Sequence, residues 1–230
     1  MRRLAEMCAW VVIPATLTRM ITNGPLFRNI KRSNEFRNFV VRGDWYFGEA
    51  PSYRRLLTGA LFDVTAEHHA SIGYLLLAGR SSSAQALLRP LVETALRMMW
   101  LMKCPDARIE AIKNKRGKRD GWLDLSHTIT EIESLYRSEK FLKKYFPNTD
   151  FLDDLTHGGM GLAIGKLAAL LDSQKESFES DANFCIFTAD RTLVLMALTY
   201  FTNVGNKAHA DALSAHYTSV YEEFEHVLVG

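Results

Sequence analysis

From Ser52 onward the apolar positions recur at three- and four-residue spacing, the period of helices. Leu56, Leu57, Ala60, Leu61, Val64, His68, Ile72 and Leu75 form one such series. It predicts a helix over residues 53–78, opened by Pro51-Ser52. Gly79-Arg80 stops it, and Ser81, Ser82 and Ser83 supply caps for a second helix running to Lys103. Two long helices with so short a link form an antiparallel hairpin, the unit of a bundle. Pro90 removes one backbone hydrogen bond inside the second helix, which predicts a kink beside Arg89. Further helices are predicted over residues 107–115, 126–145, 151–156, 162–171, 182–203 and 208–228. No strand-like alternation is sustained over five residues. The predicted fold is all-α: an up-and-down bundle of about five or six long helices with an irregular N-terminal extension.

The second helix carries the most informative pattern. Arg89, Glu93 and Arg97 recur every four residues and fall on one stripe. Around them lie Leu87, Leu88, Leu91, Val92, Leu96, Met98, Met99, Trp100 and Leu101. A helix apolar nearly all round is normally buried, which places the arginine–glutamate–arginine ladder inside the protein or at an interface, as one buried or semi-buried network. Buried charges are costly unless paired, so the three are candidates for function or for specifying assembly.

Residues 1–50 differ from the rest of the chain and read as a basic extension preceding a bundle domain over 51–230. They predict a short helix, a turn at Asn23-Gly24-Pro25, and a basic amphipathic piece over 27–41. Arg28, Lys31, Arg32, Arg37 and Arg42 make that piece either a phosphate-contacting arm or an accessory helix. Arg2-Arg3 followed by apolar residues 7–17 imitates a secretory signal, but Glu6 and Arg19 interrupt it. Cys8, Cys104 and Cys185 form neither a disulfide framework nor a zinc knuckle, which fits a cytoplasmic protein. The longest apolar run, over 192–204, is too short to cross a membrane. Net charge is only +2, yet residues 1–120 carry 20 Lys and Arg against 10 Asp and Glu, and the remainder 8 against 16. Such asymmetry suits self-association or an anionic partner for the first half; solvated faces account for it as well.

Nucleotide-binding glycine motifs, the zinc-protease HExxH and the serine-hydrolase GxSxG are absent from the sequence. Thr156-His157-Gly158-Gly159 places an imidazole at a glycine break, with Asp153 four residues earlier to orient it. His157 beside Arg89 or Arg97 is a candidate for acid–base chemistry on a phosphodiester, or else a capping histidine. His68, Glu93 and His157, aimed inward, are a candidate metal set; no resident cofactor or metal is assigned. Residues 113–119, five charges in seven, suggest an anion contact or a solvated loop.

Three of these motifs together resemble a bacterial family of helical domains of unknown function: Glu67-His68-His69, Arg89-Pro90 with Glu93, Arg97 and Trp100-Leu101, and Thr156-His157 followed by Gly159. The resemblance spans residues 56–225, and the family is similar in outline to HEPN-like bundles. Several of those are ribonucleases in toxin–antitoxin and phage-defence systems. HEPN nucleases pair an arginine with a histidine four to six residues later, and this chain has no such pair.

Two functional readings are open, with a third behind them. In the first, the protein is a non-enzymatic helical interaction module, self-associating as a homodimer, whose polar network fixes helix register. The homodimer is expected because the two most apolar helices have more apolar circumference than one bundle covers. In the alternative, it is a HEPN-like, nucleic-acid-linked protein. There Arg89 and Arg97 hold RNA phosphate, Glu93 orients them and His157 transfers protons. The third is a bundle that binds a metal or small ligand.

Overall fold

The computed structural model describes residues 24–41, 52–114, 124–137, 142–143, 146 and 174–228; in the last stretch, side chains are described over 180–219 and at Tyr221. The described residues are helical, with no strand among them. In chain order the helices are α1 (Pro25–Val41), α2 (Tyr53–Leu77), α3 (Ser81–Ala86), α4 (Leu88–Lys103), α5 (Asp106–Asn114), α6 (Leu125–Tyr136), α7 (Gln174–Asn203) and α8 (Lys207–Leu228). The expected helices over 151–156 and 162–171, the Thr156–Gly159 element, Arg42 and residues 115–119 lie outside the described residues.

Local chemistry sets the ends. Ser52 caps α2, its hydroxyl accepting from the Arg55 amide at 3.3 Å. Gly79, at φ 72°, closes the other end: its amide reaches the Leu76 carbonyl at 3.0 Å and the Arg80 amide the Leu75 carbonyl at 2.8 Å. Only a residue free to turn left-handed makes that pair of bonds at low cost. Gly205, at φ 80°, does the same between α7 and α8, with the Asn206 amide 2.9 Å from the Phe201 carbonyl. The next cap departs from expectation. Arg80, not a serine, stands at the start of α3 with no side-chain bond, and Ser81 is buried inside the helix.

One turn before Pro90 the helix is interrupted for a single residue, Leu87, whose backbone keeps right-handed angles (φ −83°, ψ −10°). The Leu87 amide turns back to the Ala84 carbonyl at 3.1 Å, and a new helix starts at Leu88. Pro90 thereby falls in the first turn, where its missing N–H has no intrahelical partner to lose.

α4 lies centrally, packed on α2, α7 and α6, and α7 in turn touches α1, α2 and α8. Leu91, Val92, Leu96, Met99 and Trp100 join one apolar cluster with Ile30, Ile72, Leu76, Ile129 and Cys185. Ala95 and Met98 join a second with Phe36, Phe62, Leu193, Phe201 and Leu213. Each such side chain, fully buried, stabilises by about 1.5–3 kcal/mol. The apolar circumference of α4 is therefore covered within one chain. Pro25–Val41, expected as part of a separate extension, contributes Ile30, Phe36 and Val40 to both clusters. Residues 180–203 of α7 are long and apolar enough to cross a membrane, and most of that stretch is buried against the other helices.

The buried face of α2 is turned from the one the sequence pattern predicts. Thr58, Phe62, Thr65, His69, Ile72 and Leu76 point inward, whereas Leu56 and Val64 are exposed. Leu57, Leu61 and Leu75 pack at the margin of the core. With apolar residues on both sides of the helix, contact with α1, α4 and α7 decides which side is inner.

Candidate functional site

That rotation of α2 sends His69 inward and leaves His68 half-buried. His69 meets Ser33 of α1 and Asp190 of α7, and Tyr221 of α8 joins them through Asp190. Asp190, fully buried, is the centre: Oδ1 accepts the Ser33 hydroxyl at 2.7 Å and lies 2.5 Å from His69 Nε2. Its Oδ2 accepts a short hydrogen bond from the Tyr221 hydroxyl. Ser33 Oγ is also 3.3 Å from His69 Nε2. Four helices thus meet at one carboxylate.

The residue types are those of a hydrolase triad, but the geometry is different. A triad carboxylate holds Nδ1 and leaves Nε2 for the serine. Here Asp190 and Ser33 share Nε2, while Nδ1 is buried with no hydrogen-bond partner among the described residues. Ser33 and His69 are themselves buried. Beside the cluster a small hollow is lined by Asn29, Arg32, Asn183, Ile186, Phe187 and Tyr221. Asn29 bonds Asn183 across it at 3.0 Å, and the Arg32 guanidinium lies 5.5 Å from the Tyr221 ring centre.

Arg89, Glu93 and Arg97 do share one stripe of α4. Arg97 donates a short hydrogen bond to Glu93, and Arg89 Nε stands 3.9 Å from the other Glu93 oxygen. The three side chains are 23%, 24% and 27% exposed. The ladder is therefore semi-buried, at the margin of the bundle. Inward-facing positions on α4 are taken by residues such as Leu91 and Met98, which the helix buries completely. His157, the fourth candidate, lies outside the described residues, so its distance from the ladder is not defined. Among the described residues no three His, Cys, Asp or Glu side chains converge as a metal set. Of the basic residues of α1, Lys31 pairs with Glu35 at 3.8 Å and Arg37 with Asn38 at 3.0 Å.

Polar side chains also fix the far end of α4. Arg54 donates to the Leu101 carbonyl, to the Cys104 carbonyl at 2.7 Å and to Asp106 at 2.6 Å. A cation there satisfies orphan carbonyls and opposes the helix dipole. Trp100 Nε1 donates to Glu131 at 2.6 Å, and Arg108 holds the other Glu131 oxygen at 3.1 Å. Burial pushes the Cys185 thiol up to about 12 and raises that of Cys104, the latter against the opposing pull of Arg54. Neither is a poised nucleophile.

Of the hub, only His69 stands out in the sequence. Asp190 carries a signal, a carboxylate inside an otherwise apolar helix, which spacing alone marks only as an interruption. Ser33 and Tyr221 carry none.

The fold and this geometry define a class: an all-α bundle organised around an enclosed polar hub. The chain belongs to a family of unknown function (DUF5677), whose model matches residues 57–182. That stretch contains His69 and the ladder and ends before Asp190. No curated protein and no solved structure matches the chain.

Proposed function

We propose that this protein is a non-enzymatic helical interaction module that self-associates. One observation carries the reading: the most densely connected polar cluster, Ser33–His69–Asp190–Tyr221, is sealed inside the bundle and arranged around a carboxylate. Groups placed so fix the register of four helices and turn over no substrate. The ladder, about a quarter exposed, has both arginines paired to Glu93, which suits a polar rim better than a phosphate clamp. Self-association draws on a narrower observation. Large apolar side chains left in solvent concentrate on α2 at Tyr53, Leu56, Val64 and Tyr74.

Sedimentation of the full chain over a micromolar series tests this. Concentration-dependent dimer formation is expected, and a strict monomer throughout removes self-association. Unaltered solution behaviour in a chain carrying Asp190→Asn would remove the structural role of the hub.

A further inference from the structure

Four rings alternate along the seam between α1 and α8. His209 stacks on Phe39, with centroids 5.5 Å apart and planes 10° from parallel. Phe39 stacks in turn on His216 at 4.8 Å and 29°, and His216 lies near-parallel to Phe36 at 6.0 Å. The two histidines are seven positions apart on α8, a rise of about 10.5 Å. Their separations from Phe39, laid end to end, nearly match that rise, which sets Phe39 between the imidazoles. Phe201 of α7 also meets His209, at 4.2 Å and 63° from parallel. We infer that this stack is an acid-sensitive latch: protonation of His209 and His216 releases α8 from α1 and α7.

The docked position opposes added protons in three ways. His209 stands in the first turn of α8, where the positive end of the helix and Lys207 both disfavour a cation. In the imidazolium both ring nitrogens carry a proton, and Nε2 of His209 is buried with no hydrogen-bond partner among the described residues. Phe39 offers a π face to each ring, yet two cations on opposite faces of one phenyl repel across it.

Neighbouring charges do little to offset this. Glu35, the one carboxylate of α1, is already paired with Lys31 at 3.8 Å. Arg32 lies over Tyr221, and Arg37 is bonded to Asn38. α7 carries no charged residue over 193–203, the stretch that holds Phe201. Arg55 of α2, which opposes the burial that raises the Tyr200 phenol beside Phe201, is a further cation. On α8, Asp211 is exposed, and its spacing from both rings turns it away from the α1 seam.

Histidine changes charge between about pH 5 and 8. The docked helix excludes protons that the released one accepts, so opening grows as pH falls through that interval. Lifting α8 bares Phe36, Val40, Phe201 and Leu213 and takes Tyr221 from Asp190. Ser33 and His69 still hold that carboxylate, so α1, α2 and α7 stay joined and the opening is local. The latch uses none of the exposed α2 side chains on which self-association draws, so the two stand or fall separately.

Amide exchange in the full chain, corrected for intrinsic rates, reads the opening at about pH 7.5 and 5.5. Opening over residues 207–219 should rise about tenfold or more at the lower pH, since each proton taken up contributes up to about tenfold per pH unit. Residues 91–101 of α4 should stay protected. His209→Phe with His216→Phe keeps an aromatic stack and removes both titrations, and its opening should be the same at the two pH values. Equal opening of the unaltered chain at both, or an undiminished rise in the double variant, would overturn the inference. Should the double variant fail to fold, His209→Phe and His216→Phe made singly take its place. Each should cut the rise, and a full rise in both overturns the latch.

Discussion

Ser33 and Asp190 stand 157 positions apart in sequence, and the serine hydroxyl donates to the carboxylate at 2.7 Å with both residues buried. This bond locks α1 to α7. It turns a segment that reads as a basic extension into part of the core, and it shares its acceptor oxygen with His69.

Asp190→Ala should therefore be among the most damaging substitutions in the chain. It strands Ser33, His69 and Tyr221 together, at a cost of about 3–5 kcal/mol. Ser33→Ala and Tyr221→Phe each remove one partner and should cost about 1–2 kcal/mol. Urea unfolding measures all three, and an Asp190→Ala midpoint equal to that of the unaltered chain would refute the hub.

Glu93→Ala should be milder. A fully buried ladder would lose about 3–5 kcal/mol with its central carboxylate removed. With all three side chains about a quarter exposed, water rehydrates the arginines, and the expected loss is roughly 1 kcal/mol. A loss as large as that of Asp190→Ala would contradict the marginal position of the ladder.

Asp124 gives an acid-dependent helix start. Its carboxylate caps α6, accepting from the His127 amide at 2.9 Å, and that bond, followed by the His127 ring, holds its pKa below the ordinary 3.8. Because the folded value lies below the unfolded one, the stabilisation is fully present above pH 3.8 and lost as pH falls through the folded value. Asp124→Ala should cost about 0.5–1 kcal/mol at neutral pH. Asp124→Asn should keep most of the cap and flatten the acid limb of the stability curve. An acid limb unchanged by Asp124→Asn would sink this assignment.

In a Cys8→Ser chain no thiol should react with a disulfide reagent at pH 8 until the protein unfolds. Cys185 is pushed up to about 12 and Cys104 is raised, each chiefly by burial, so the native thiolate fraction is very small. Fast labelling of either in the native state would contradict that burial.

The sequence by itself determined most of the described helices, because hydrophobic period, caps and breakers act locally, although the helix expected over 126–145 ends at Tyr136, where Arg137 turns left-handed. Ser52, Gly79 and the apolar run through Leu101 are readable without knowing what they touch. It also placed Arg89, Glu93 and Arg97 on one stripe, since four-residue spacing fixes that on any helix. Depth and partnership were decided by tertiary structure. α2 has apolar residues on both sides, so only its packing against α1, α4 and α7 settles that His69 turns inward and Leu56 outward. α4 could bury its circumference against a second copy or within the chain, and the positions of α2, α6 and α7 decide for the chain. Ser33 and Tyr221 have no local mark of their role. A hydrogen bond between residues 157 positions apart depends on how helices are placed in space, which local spacing does not encode.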